Sequence, residues 1–360
     1  MAFSFVPQEL VRLIIEELKR DRATLCSLAL TCRHLHFEAM RALYRSMTHP
    51  NGTYQYTFLL RLRKYPHLGK LVQVYHSPKT TNKQRGSLWS LIRACLQLMV
   101  NLQELDLFNV PGEPMKILPD IGKGNEKGHQ ASLRLKNLRV AAFGHEREVA
   151  HLLETQQELE HLHILSFKFE ETVSPQACPK LHTLYVGAHS AKQFLSGRPV
   201  TELGLRFGSG RRYDPALEIN IEEILSQSDT ALVHRLAIDN TLYPWFSCRD
   251  IPDGKREMPF QNVEILQITQ NHISGPAQFV QAATVFPRLR HIIFAPIQPI
   301  PPGRYEEFDV EVPLLFTKPS TLRYVDVFWS TPDFYRRWSS RGVPEESLIS
   351  LSPIFHDRLE

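Results

Sequence analysis

The chain has 360 residues, of which 42% are hydrophobic and 22% charged, with 42 basic side chains against 38 acidic ones and a formal net charge of +4. That length can bury a large core and exceeds one small domain, while the near balance of charge excludes a partner held by bulk electrostatics, so neither a nucleic acid nor an anionic membrane is expected. Residues 88–100, the longest apolar run, are interrupted by Arg93 and too short to span a bilayer. No charged-then-apolar leader is visible, so an intracellular setting, cytoplasmic or nuclear, is expected. Five cysteines (Cys26, Cys32, Cys95, Cys178 and Cys248) are odd in number and widely spaced. They predict buried free thiols rather than a disulfide frame.

Residues 5–48 carry the pattern of three short helices. Pro7 sits where a first helical residue tolerates the lost N–H, and Leu10, Ile14 and Leu18 recur at spacing four with Val11 and Ile15 beside them. A second run holds Leu25, Leu28 and Ala29, and a third holds Cys32, Leu35, His36, Ala39, Met40, Leu43 and Met47. So short a unit displays more apolar surface than it can bury within itself and calls for a partner surface. Asn51-Gly52-Thr53 then reads as a turn.

Beyond the turn one motif recurs, apolar at its first, fourth and sixth positions. Its copies begin at Leu68, Leu102, Leu138, Leu159, Leu181, Val200, Val233, Val263, Leu289 and Leu322, on average about 28 residues apart. The physical logic is a short strand whose apolar positions point into a stack while positions three, five and seven line a solvated face. That reading places Asp106, Phe108, His163, Tyr185, Arg206, Arg235, Tyr324, Asp326, Phe328 and the following Trp329 on an interaction surface of mixed aromatic and charged character, suited to a protein or peptide epitope. Between strands, residues 86–99, 146–157, 188–196, 218–228 and 274–285 have helical periodicity. Residues 109–132 and 295–313 are rich in Pro and Gly and read as long loops.

Motifs for chemistry are missing. Gly122-Lys123-Gly124 follows no strand, and no Walker, dinucleotide or Gly-x-Ser-x-Gly pattern occurs. His161-x-His163 puts two imidazoles on one strand face with Tyr185 near on the next strand, but sequence fixes no third ligand, and solvated or hydrogen-bonded strand residues are expected there. Cys26 and Cys32 fall on helix faces and are expected in the core. Tyr335-Arg336-Arg337-Trp338 interleaves aromatic and basic residues, which without wider positive charge reads as a solvated helix face. No enzyme, cofactor or metal is therefore expected.

Val6-Pro7-x-Glu9-Leu10, Ile14-Ile15, Leu18, Leu28 and Cys32-Arg33 resemble an F-box, with Val6 in place of the usual Leu and Leu35 where the family often has an aromatic residue. The recurring strand motif resembles a leucine-rich-repeat horseshoe that lacks the usual Asn or Cys after the strand. Together these resemblances imply an α/β chain with an F-box over residues 1–50, an irregular repeat domain with parallel strands over residues 51–342, and a tail over residues 343–360. They also imply a substrate receptor of Skp, cullin and F-box ubiquitin ligases. In that family the F-box docks on the Skp adaptor, and through it on cullin, while the repeats hold a target protein and the chain supplies no catalytic residue. Carried over, Pro7, Leu10, Ile14, Leu18, Leu28 and Cys32 face the adaptor or build the module. The alternative is a repeat scaffold whose N-terminal helices only cap the first repeat.

Overall fold

The computed structural model describes residues 6–19, 21–78, 85–109, 118, 133–142, 144–166, 169, 171–206, 230–239, 260–269, 286–295, 305–316, 321–328, 335–340 and 342–347. The chain forms two compact units, Met1–Leu159 and Glu160–Glu360. Its class is mixed α/β, with helices at the N-terminal end and open, mostly parallel sheet. Among the described residues no helix is long and apolar enough to cross a membrane.

The first unit begins with three helices, α1 (Gln8–Glu17), α2 (Arg22–Ala29) and α3 (Arg33–Arg45). Asp21 caps α2 by accepting the Thr24 N–H at 3.0 Å and its hydroxyl at 2.6 Å. Pro7 stands one residue before α1, and its carbonyl accepts the Leu10 and Val11 N–H groups. Met47, assigned by periodicity to the third helix, instead belongs to strand β1 (Ser46–Met47), which α3 enters directly. Helix α4 (Gly52–Lys64) follows, a 3-10 turn at Pro66–Leu71, and then β2 (Val74–His76), α5 (Arg85–Leu96), β3 (Glu104–Asp106), β4 (Asn137–Ala141) and α6 (Glu146–Glu154). Strands β1 to β4 pair in chain order and in parallel.

Helix α4 was hidden by its Thr, Tyr and Phe content, which favours strands. Two features override that preference. Asn51, read as part of a turn, is the N-cap and accepts the Thr53 and Tyr54 N–H groups at 2.9 and 3.2 Å. Gln55, Phe58, Leu59 and Leu62 then fall on one buried helical stripe. Gln55 is wholly buried and fully used: its amide donates to the carbonyls of His49 and His76, and its oxygen accepts the Tyr75 hydroxyl at 2.8 Å.

The second unit contains β5 (His161–Leu165), β6 (Thr183–Gly187), a 3-10 turn at Ala188–Ser190, α7 (Ala191–Leu195), β7 (Glu202–Arg206), β8 (Arg235–Asp239), β9 (Ile265–Thr269), β10 (His291–Phe294), α8 (Tyr305–Leu314), β11 (Tyr324–Phe328), β12 (Tyr335–Ser339) and β13 (Gly342–Ser347). Strands β5 to β11 are parallel neighbours in chain order, and β12 and β13 close the series antiparallel. Here the sequence motif and the hydrogen-bond register coincide. Leu162, Leu184, Leu203, Leu236, Leu266, Ile292 and Val325, the fourth positions of seven copies, are aligned across the sheet, and the apolar positions of these copies are buried.

Two copies in the first unit are displaced. Leu105 pairs with Leu138, so Leu138 is a fourth position and the copy reads Leu135, Leu138, Val140. The spelling that starts at Leu138 satisfies the same pattern, and backbone pairing rules it out; its last residue, Phe143, lies outside the described residues. Tyr75 pairs with Leu105, which makes the first copy Val72, Tyr75, Ser77 and leaves Leu68 and Leu71 in the 3-10 turn.

A backbone ladder fixes this register. The carbonyl at the second motif position accepts the N–H groups of positions two and three on the next strand, from Gln73 to Gln103 to Lys136 in the first unit. In the second it runs from Glu160 to His182, Thr201, His234, Glu264, Arg290 and Arg323. Each strand therefore satisfies its neighbour before any side chain is considered.

Other expectations change. Residues 305–313, read as part of a loop, belong to α8, because Glu306 and Glu307 suit the positive end of a helix and Phe308 and Val312 fall on a buried stripe that Leu315 continues. Tyr335 to Trp338 form a strand rather than a helix face, with Tyr335 and Trp338 buried. Cys26 and Cys32 are exposed; Cys95 and Cys178 are buried free thiols. Burial pushes the Cys95 thiol up to about 11. Cys248, the helices expected over residues 218–228 and 274–285, and nearly all of the loop over residues 109–132 lie outside the described residues.

Candidate interaction surfaces

Helix α1 has apolar residues on two faces, and packing uses one. Val11 and Ile15 are buried, while Leu10, Leu13 and Ile14 are 50%, 62% and 58% exposed. The buried stripe is thus offset by one residue from the Leu10, Ile14, Leu18 series. Leu18 and Leu28 are half-buried, and Pro7 and Cys32 are exposed. Sequence reasoning passed over three contributors to the same exposed apolar character: Leu13, Leu30 at the end of α2 (87% exposed) and Phe37 on α3 (63%). Leu25, Ala29, Leu35, Ala39 and Leu43 form the interior instead.

One ion network orients α1 on α3. The buried Glu38 carboxylate accepts the Gln8 amide at 2.9 Å and the Arg12 guanidinium at 3.4 Å, with Arg41 at 4.0 Å. Burial alone would raise the Glu38 carboxyl, but these bonds and charges outweigh it and hold the group below its ordinary value. With α1 anchored through this inner face, its outer face is held open to solvent.

The second candidate surface is the open face of the strands in each unit. Its middle row, motif position five, is not solvated as expected: Asp106 in the first unit, and His163, Tyr185, Ala237, Gln267, Ile293 and Asp326 in the second, are buried. Neighbouring strands are only about 4.8 Å apart, so side chains in this row cover one another. His163 packs edge-on against Tyr185 at 4.0 Å between centroids, and Phe328 joins Ile293 and Tyr335 in an apolar cluster. What remains accessible comes from the flanking rows. Phe108, Arg206 and Arg235 are half-buried and Tyr324 is exposed; Trp329 lies outside the described residues.

Charges on this face are paired into short networks. In the first unit Glu104 accepts His76 at 2.6 Å and Asn137 at 3.2 Å, and the His76 hydrogen bond holds its carboxyl below the ordinary value. Arg139 bridges to Asp106 at 3.1 Å and lies over the Phe108 ring. In the second unit Arg235 donates to Gln267 at 3.3 Å, and burial lowers its guanidinium from the usual value against the opposing charge of Glu202. Asp326 takes a two-pronged bond from Arg337 at 2.8 and 2.7 Å and a third from His291 at 2.8 Å. Burial works against that carboxylate, yet the Arg337 and His291 bonds keep it below its ordinary value. In these arrangements each charge is fixed in place by a neighbour.

No family model matches the chain, and a search of curated proteins finds none that matches.

Proposed function

We propose that the chain is the target-binding subunit of a Skp, cullin and F-box type ubiquitin ligase, its N-terminal helices docking on the Skp adaptor and its repeats holding the protein to be modified. The reading rests first on one observation: Leu10, Leu13 and Ile14 form a solvent-facing apolar stripe on a helix whose other face is already anchored, with Leu30 and Phe37 exposed beside it in sequence. An apolar stripe of this kind on a monomer marks a protein interaction surface. The in-register strand motif supports a leucine-rich-repeat-like domain downstream, over residues 51–342, with the flanking rows of its open face as the target surface. Modification would then follow from proximity, the scaffold raising the effective concentration of the bound target, with no catalytic group in this chain.

A scaffold in which the helices only cap the sheet is the second reading, favoured by the direct passage of α3 into β1. Substitution separates the two. Leu10→Asp with Ile14→Asp changes exposed positions, so the thermal midpoint is expected to stay near that of wild type. Capture by purified Skp adaptor is expected to be lost. Equal capture of wild type and double variant would overturn the docking assignment.

A further inference from the structure

A group of metal-ligating side chains at the beginning of β5 and β6 has no part in the proposed docking. Glu160 and His182 hold the same motif position on neighbouring strands, joined by the His182 N–H to Glu160 carbonyl bond at 3.0 Å. The ladder thus fixes their backbones roughly one strand spacing, about 4.8 Å, apart. His161 enters from the next position along β5. One ligand atom from each of Glu160, His161 and His182 lies within 4.8 Å of the other two, and all three residues are half-buried. The two imidazole rings meet edge to face at 4.4 Å between centroids. His163, the partner that sequence spacing suggested for His161, packs on Tyr185 instead.

We propose that Glu160, His161 and His182 bind a single divalent transition-metal ion of the zinc class. Two imidazoles and one carboxylate suit a borderline metal; calcium and magnesium select oxygen-only ligand sets. Three protein ligands are one short of a closed structural zinc site, which leaves a coordination position for water or for a donor side chain of a bound partner. Bonds of about 2.0–2.2 Å draw the ligand atoms closer than 4.8 Å, a contraction that rotation of half-buried side chains can supply. The Thr183 hydroxyl, 3.1 Å from Nδ1 of His182, provides the outer hydrogen bond that orients a ligating imidazole when Nε2 takes the metal.

Cobalt(II) titration of the untagged full chain, stripped of metal by a chelator, tests the site, because cobalt held by few nitrogen and oxygen ligands absorbs in the visible. One equivalent is expected to bind and to be displaced by zinc. His161→Ala and His182→Ala should each abolish the bands, and Glu160→Gln should weaken binding by about tenfold or more. His234→Ala, at the same motif position two strands further on and exposed, should keep them. Circular dichroism of each variant separates lost ligands from lost fold, and Glu160→Gln, nearly isosteric, carries the test if a histidine variant unfolds. Absence of bands in wild type, or bands that persist in folded His161→Ala or at full strength in Glu160→Gln, overturns the assignment.

Discussion

Glu38 decides how the N-terminal helices present themselves. A carboxylate this deeply buried is tolerated only because Gln8 and Arg12 on α1 reach it. Since its folded-state value lies below the ordinary 4.5, its contribution is present above that pH and is lost as pH falls through the folded value. Glu38→Gln is therefore expected to cost about 1–3 kcal/mol near neutrality. The difference from wild type should shrink in acid, where both side chains are uncharged; paired urea denaturation curves at the two pH values measure it. Arg198 solves a related problem without a carboxylate. Buried at the end of α7, it donates to the carbonyls of Ala177, Ser174, Phe194, Gln193 and Ser196, using its fixed fork to satisfy groups the short helix leaves open. Neither role was legible in sequence, where nothing ties Glu38 to Gln8 and Arg12 some thirty residues earlier, or Arg198 to the carbonyls of Ser174 and Ala177.

Among the elements, strands with one apolar face were legible and elements with two were not. Leu162, Leu184, Leu203, Leu236, Leu266, Ile292 and Val325 each sit in register as fourth motif positions, where the pattern puts them. At Leu138 the pattern had two spellings three residues apart, and backbone pairing chose between them. Helix α1 was ambiguous for the same reason: Val11 and Ile15 compete with Leu10 and Ile14, and tertiary packing, together with the Glu38 network, turns the first pair inward. Burial of the middle row of the open face was out of reach as well, because it arises from side chains brought together by strands far apart in sequence. One glycine was equally silent. A Cβ at Gly69 would lie 2.7 Å from both Cβ and the carbonyl oxygen of Leu98, so the 3-10 turn touches the chain after α5 without room for a methyl group. Gly69→Ala is expected to destabilise by about 1–3 kcal/mol through overpacking, measured by chemical denaturation.

At the scale of the whole molecule, the parallel strands within each unit depend chiefly on their neighbours, through the carbonyl ladder and the aligned fourth positions. A series built this way has no internal reason to stop, since its last parallel strand offers the same unsatisfied groups that recruited it. The reversal at β12 and β13 supplies the stop. Strand β12 covers β11 antiparallel and commits Arg337 to the buried Asp326, while β13 carries Pro344, Glu345 and Glu346 in sequence, residues poorly suited to adding another chain. The hairpin is thus a guard against polymerisation. A chain ending at residue 334 should expose the β11 edge, leave Asp326 with His291 but without Arg337 and self-associate with concentration, as followed by light scattering, while the full chain remains monodisperse. A truncated chain that stays monomeric would assign the guard to another part of the molecule.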